Sequence, residues 1–205
     1  MDLANRAGMA PSGRLFIVRH GESGWNRLGL VQGQSPAAAG LTGRGREHAA
    51  AAAGRLAGSG ATLILTSDLR RARETALPIA AGLGVPTRLE PRLRERDLGA
   101  AEGRPADEVT PAETGFAGER VTDPDARPAG GESIRELYQR VTGLLAELAA
   151  SLPDGRIVLV THGGPVRVAR AYLAGLSAAA MSWPPVLNGS VLEVACADLT
   201  PRRAV

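Results

Sequence analysis

The chain has 205 residues, 44% of them hydrophobic and 22% charged, which is enough for one soluble domain with a substantial aliphatic core. Its net charge of +3 is carried on arginine alone, and the arginines are scattered without a basic run or interleaved aromatics, which argues against a nucleic-acid partner. No apolar run reaches membrane-spanning length, the first residues lack the apolar stretch of a signal peptide, and the single cysteine, Cys196, permits no intrachain disulfide; together these point to a cytoplasmic protein with no membrane partner.

Residues 1–13 read as a disordered lead, and 14–205 as a single domain. Leu15-Phe16-Ile17-Val18 is short and rich in β-branched residues, and Arg19-His20-Gly21-Glu22-Ser23 follows it. This pattern predicts a buried parallel strand that stops where the polar residues begin. His20 then sits at the carboxyl end of a central strand, where open α/β sheets hold their ligands. A short helix is expected over Glu22 to Leu28, then a loop from Gly29 to Leu41. Thr42 caps a helix to about Ala57, ended by Gly58, with His48 as a packing or surface residue that has no partner nearby.

Thr62 to Leu65 is expected as a second strand. Ser67 is expected to cap a helix over Asp68 to Ala81, with Arg70 and Arg73 on its solvated face. Thr87 to Leu89 reads as a short strand, and Leu93 to Gly103 as a polar, glycine-punctuated segment. Residues 104–131 are the least periodic, with one short helix around Ala106 to Val109; they read as a lid insertion. Glu132 to Ser151 is an amphipathic helix with Ile134, Leu137, Val141, Leu144, Leu145 and Leu148 on one face.

The pattern of the first strand then returns. Ile157-Val158-Leu159-Val160 is apolar, and Thr161-His162-Gly163-Gly164 follows it. If the two strands are neighbours, both imidazoles face one pocket. Gly163 to Ala174 is expected as a helix, Trp183-Pro184-Pro185 as a rigid turn, and Val191 to Ala195 as the last strand, with Cys196 a packed thiol. Strands alternating with helices predict a three-layer α/β/α sandwich on a mostly parallel sheet. The last strand or the long helix would offer the apolar surface for a homodimer.

Five stretches, in order, resemble the histidine phosphatase superfamily, also called the phosphoglycerate mutase-like family. They are Val18-Arg19-His20-Gly21-Glu22-Ser23 with Asn26; Ser67-Asp68-Leu69-Arg70-Arg71-Ala72; Leu93-Arg94-Glu95-Arg96-Asp97-Leu98-Gly99 with Glu102-Gly103; Gly130-Gly131-Glu132-Ser133; and Val160-Thr161-His162-Gly163-Gly164. The resemblance runs from about Arg14 to Leu176 and implies the same three-layer fold. It departs after Gln32-Gly33, where the usual acidic residue is missing and the loop is about two residues longer.

The resemblance also implies roles. His20 would be the nucleophile, Glu95 the proton donor, and Arg19 and Arg71 the phosphate clamp. Asn26, Gln32, His162 and Gly163 would add contacts to a small phosphorylated substrate, without a metal or other cofactor. Glu102 would brace its loop. Attack needs a neutral imidazole, and two nearby arginines disfavour imidazolium. A backbone carbonyl must also accept from the other ring nitrogen to fix the tautomer. Glu95 must carry a proton when substrate is bound, so proton pickup is expected to accompany binding. The activity implied is phosphomonoester hydrolysis. The alternatives are a phosphoglycerate mutase using the same phosphohistidine and, more remotely, an inactive phosphate-binding protein.

Overall fold

Residue alternation along the strands sorts the core into two halves. The computed structural model describes residues 12–199. The first strand, β1 (Arg14–Arg19), sends Leu15 and Ile17 to one face of the sheet and Phe16 and Val18 to the other. A one-turn helix follows, α1 (Gly24–Arg27), capped by Ser23, then α2 (Gly43–Leu56), capped by Thr42. Next come β2 (Leu63–Thr66), α3 (Arg70–Leu83) and the short β3 (Thr87–Leu89). The segment 104–131 holds a single helical turn, α4 (Pro111–Thr114), and a two-strand hairpin, β4 (Phe116–Ala117) and β5 (Arg120–Val121). The chain then runs through α5 (Ile134–Ser151), β6 (Arg156–Thr161), α6 (Gly163–Leu173) and β7 (Val191–Ala195).

The sheet order is β3-β2-β6-β1-β7, with β7 antiparallel to β1 and the other pairs parallel. Helices α2 and α3 pack together over Phe16, Val18, Ile64, Val158 and Val160. Helices α5 and α6 cover Leu15, Ile17, Ile157 and Leu159 on the opposite face. This is the three-layer α/β/α sandwich expected from the alternation of elements. Strands β1 and β6 are neighbours, with Arg19 opposite Thr161, so His20 and His162 leave the sheet side by side.

Several expectations change in detail. Ser67 does not cap α3: its N-cap is Leu69, without a side-chain hydrogen bond, and the helix starts at Arg70. The hydroxyl of Ser67 is drawn instead to His162. Arg70 and Arg73 are exposed as expected, and Arg70 Nε also pairs with Glu74 one turn on at 2.7 Å. His48 does have a partner, since the Glu22 N–H donates to its Nδ1 at 3.4 Å. The short helix of the lid is a 3-10 turn over Ala106–Glu108, and the helix after it and the hairpin carry too few residues to show a period. Residues 1–11 of the expected lead lie outside the described residues. Ser12 and Gly13 are anchored, Ser12 to Asp154 and Gly13 to the Pro153 carbonyl. Cys196 is buried, and among the described residues no helix is long and apolar enough to cross a membrane.

Candidate active site

A cavity of about 470 Å³ opens over the carboxyl ends of β1 and β6, between the sheet and the segment 104–131. Of the residues expected at the site, Arg19, His20, Asn26, Gln32, Arg71 and Glu95 line it. His162 and Gly163 do not. His162 is fully buried behind His20, with ring centroids 5.0 Å apart, and Gly163 opens α6 beneath the cavity.

His20 extends β1 by one residue, its N–H donating to the Thr161 carbonyl at 2.9 Å. Its Nδ1 lies 2.7 Å from the Gly21 carbonyl, an acceptor only, so Nδ1 carries the proton and donates. Its Nε2 therefore keeps a lone pair and accepts from Arg71 Nε at 3.2 Å. Burial, and after it the charges of Arg71 and Arg19, hold the imidazole well below the usual histidine range and therefore neutral. The Gly21 carbonyl supplies the tautomer-fixing acceptor that the sequence required but did not name. Gly21 is itself fixed, its N–H donating to Thr75 Oγ1 at 3.0 Å.

Arg71 enters from the first turn of α3 and is almost completely buried. Its Nη2 donates to the Gly33 carbonyl at 2.8 Å, and burial lowers its pKa to about 10, so it stays charged at neutral pH. Arg19 also lines the cavity, with Nη1 donating to the Val186 carbonyl and a buried Nε that has no protein acceptor among the described residues. Ser23 caps α1 and donates to Gln32 Oε1 at 2.7 Å, which ties that loop to the His20 turn. Asn26 Oδ1 accepts from Ser23 and from Asn188 Nδ2, which leaves the Asn26 amide nitrogen as its remaining donor group.

Glu95 lines the same cavity as His20. Its carboxylate accepts from the N–H of Gly164 at 3.0 Å and of Arg96 at 2.8 Å. The glycine pair after His162 is explained here. A Cβ on Gly164 would stand 2.2 Å from Glu95 Oε1, and one on Gly163 would stand 2.9 Å from Arg167 Nη1. The glycines therefore make room for these two side chains. Glu102 braces its loop as expected, its Oε1 accepting from the N–H of Gln34 and of Leu98. Gln34, at the point of departure from the family pattern, uses its amide to donate to the Glu95 carbonyl at 3.0 Å.

His162 Nε2 lies 2.8 Å from Ser67 Oγ, whose oxygen already accepts from the Leu69 N–H. Among the described residues, the other ring nitrogen of His162, Nδ1, is buried without a protein partner. Burial, then Arg71, His20 and Arg19, hold this imidazole neutral as well.

Sequence reasoning missed four contributors. Ser67 was assigned to a cap. Asn188 donates to the His20 carbonyl from a loop with no marked pattern. Arg96 is 1% exposed and donates to the carbonyls of Glu132, Thr114 and Ala126, which anchors the lid. Arg167 lines the cavity over the Trp183 ring, and its place in the first turns of α6, after a strand-end histidine, was the available clue. Among the described residues, no group of three or more His, Cys, Asp or Glu is placed to hold a metal ion.

Comparison with known proteins gives a consistent picture. The chain is 39% identical over 182 residues to a protein of Cronobacter sakazakii named "Probable phosphoglycerate mutase GpmB", covering 88% of this chain and 84% of that one. A mycobacterial glucosyl-3-phosphoglycerate phosphatase is 33% identical, with a TM-score of 0.70 over 88% of each chain. YhfR of Bacillus stearothermophilus is 28% identical, with a TM-score of 0.77 over 88% of this chain and 90% of that one. The family model of the histidine phosphatase superfamily (branch 1) matches residues 15–203, so this chain, whose two strand-end histidines lie with ring centroids 5.0 Å apart, belongs to that superfamily.

Proposed function

We propose that this protein is a phosphomonoester hydrolase that works through a phosphohistidine on His20, with the phosphoryl charge neutralised by Arg19 and Arg71. The setting of His20 carries the reading. It is a buried, neutral imidazole whose Nδ1–H is tied to a backbone carbonyl and whose Nε2 lone pair meets an arginine fork at a cavity wall. A structural histidine has no need of a charged fork on its free lone pair. An arriving phosphoryl oxygen is a stronger acceptor for Arg71 than an imidazole nitrogen, because that bond is charge-assisted. Substrate binding thus turns Arg71 toward phosphate and frees the Nε2 lone pair.

Nε2 then attacks phosphorus in line. The phosphorus–oxygen ester bond breaks, and its electron pair leaves with the alcohol oxygen, which takes a proton from Glu95. Water attacks the phosphohistidine next. Glu95 accepts the water's proton, the nitrogen–phosphorus bond breaks, and its pair returns to Nε2. With Nε2 of His162 accepting from the Ser67 hydroxyl, its Nδ1–H would point a further donor to phosphoryl oxygens on the cavity side of His20, and the unpartnered Nδ1 would gain an acceptor. Asn26 and Gln32 add amide donors from the rim of the cavity, and Gly163 contributes space.

The GpmB relatives favour a second reading, a phosphoglycerate mutase using the same phosphohistidine. The cavity wall favours hydrolysis. Beside its arginines, this wall carries Leu30, Val31, Leu98, Val109, Phe116 and Trp183, apolar surface that a three-carbon, highly anionic mutase substrate would leave unused. One metal-free assay separates the two readings. It measures phosphate release from phenyl phosphate, and isomerisation of 3-phosphoglycerate with and without its bisphosphate primer, beside His20→Ala. Phosphate release that disappears in the variant is expected. Primer-dependent isomerisation with little release would make the protein a mutase, and release that persists in His20→Ala would overturn the phosphohistidine.

A further inference from the structure

The cavity contains one cation that the hydrolytic chemistry does not use. Four arginines line it. Arg96 is committed to three backbone carbonyls, and Arg71 and Arg19 flank His20. Arg167 is different. Its Nε donates to the Pro184 carbonyl at 2.7 Å, which fixes the plane of the guanidinium, and the group lies 4.9 Å over the Trp183 ring. Its two amino nitrogens donate to no protein acceptor among the described residues, and no carboxylate lies within ion-pair distance of it there. The guanidinium is only partly exposed. A partly desolvated arginine that ends in a cavity without an acceptor is a site for an anion.

The surroundings narrow the ligand. Trp183 stacks on Phe116 of the lid hairpin, centroids 5.1 Å apart and planes 19° from parallel, and both rings line the cavity. Arg167 thus stands at the edge of a flat apolar wall. Arg167 Nη1, Arg19 Nε and Glu95 Oε2 all lie within 4 Å of the point that a Cβ on Gly163 would occupy, so the spare fork is adjacent to the reacting groups. The geometry points to a second anion subsite at Arg167: the natural substrate is a phosphomonoester whose leaving group is a flat, largely apolar frame bearing a carboxylate or a second phosphate. The inference rests on the phosphohydrolase reading and specifies its substrate class. A cavity of about 470 Å³ is far larger than a three-carbon phosphoester needs, which agrees with a ring-sized leaving group.

Binding of non-hydrolysable phosphonates tests the subsite separately from catalysis. Calorimetry would compare phenylphosphonate with its carboxyl-substituted isomers on the wild type and on Arg167→Met, which keeps the apolar stem. In the wild type at least one carboxylated isomer is expected to bind roughly tenfold or more tighter than phenylphosphonate, as a charge-assisted hydrogen bond allows. That ratio is expected to fall to about one in Arg167→Met. Arg167→Lys, which retains a charge without the planar fork, is expected to give an intermediate ratio and serves if the methionine variant does not fold. A ratio near one in the wild type, or a ratio unchanged in the variants, would overturn the subsite even if phenyl phosphate is turned over. Failure to turn over phenyl phosphate and its carboxyl-substituted isomers, with the ratio as expected, would overturn the hydrolase reading and leave the subsite standing.

Discussion

The floor of the cavity and its lid differ in what holds them. The floor hangs from β1 and β6, paired in register, and its polar groups are fixed by short local bonds: His20 on the Gly21 carbonyl, Gly21 on Thr75, His162 on Ser67. The lid has no strand longer than two residues. It depends on side chains that reach across it, with Arg96 binding the Thr114 and Ala126 carbonyls and Arg104 pairing with Glu113. On the proposed reading, the chemistry that must be positioned to a fraction of an ångström sits on the sheet, and the wall that would meet the leaving group sits on the segment with the least regular structure.

The largest expected loss tests the floor. His20→Ala should lower phosphate release at least about a thousandfold, since a nucleophile cannot be replaced by its neighbours. Rapid acid-free quenching with labelled substrate should also show no protein-bound phosphate. Retained label would place the nucleophile elsewhere and dissolve the contrast.

Arg96→Met tests the lid. It leaves three carbonyls without their donor and should destabilise the protein by about 3 kcal/mol. Limited proteolysis should then cut within 104–131 while the rest of the domain persists. A variant that resists protease like the wild type would mean that other contacts hold the lid.

Gly164→Ala probes the join between the two regions. The new methyl group collides with Glu95 Oε1, so the carboxylate must move, and kcat should drop roughly ten- to a hundredfold with a smaller change in KM. An unchanged kcat would show that the Glu95 position is not critical.

A smaller effect follows from the two buried imidazoles. Both are held below the usual histidine range by burial first and by neighbouring arginines second. The unfolded chain therefore takes up protons as the pH falls below about 6.5, while the folded chain does not. Stability is fully present above that pH and declines below it, by up to about 1.4 kcal/mol per pH unit for each histidine until the folded groups protonate. Urea titrations between pH 7 and 5 in phosphate-free buffer should show this slope, and the double variant His20→Asn/His162→Asn should flatten it. The smallest effect belongs to the exposed pair of Asp125 and Arg135 on the outer side, where Asp125→Asn should leave Tm unchanged within error.

The sequence alone determined the sandwich, because alternating strand and helix periods leave few other packings. The strand-end pattern marked Arg19 and His20, and the resemblance to the family added Asn26, Gln32, Arg71 and Glu95; all six line one cavity. Tertiary structure decided the rest. Which carbonyl fixes the His20 tautomer depends on the backbone path after β1. The hydroxyl of Ser67 reads locally as a helix cap, yet a neighbouring strand end brings His162 within 2.8 Å and claims it. Arg167 carries only a positional clue, its place in the first turns of α6, and Arg96 looks in sequence like any other arginine in a chain without lysine. Only the packing of α6 against the Trp183 turn, and of the lid against the loop after β3, makes one a cavity cation and the other a buried clamp. Those contacts join residues 16 to 36 positions apart, a spacing that no periodic pattern encodes.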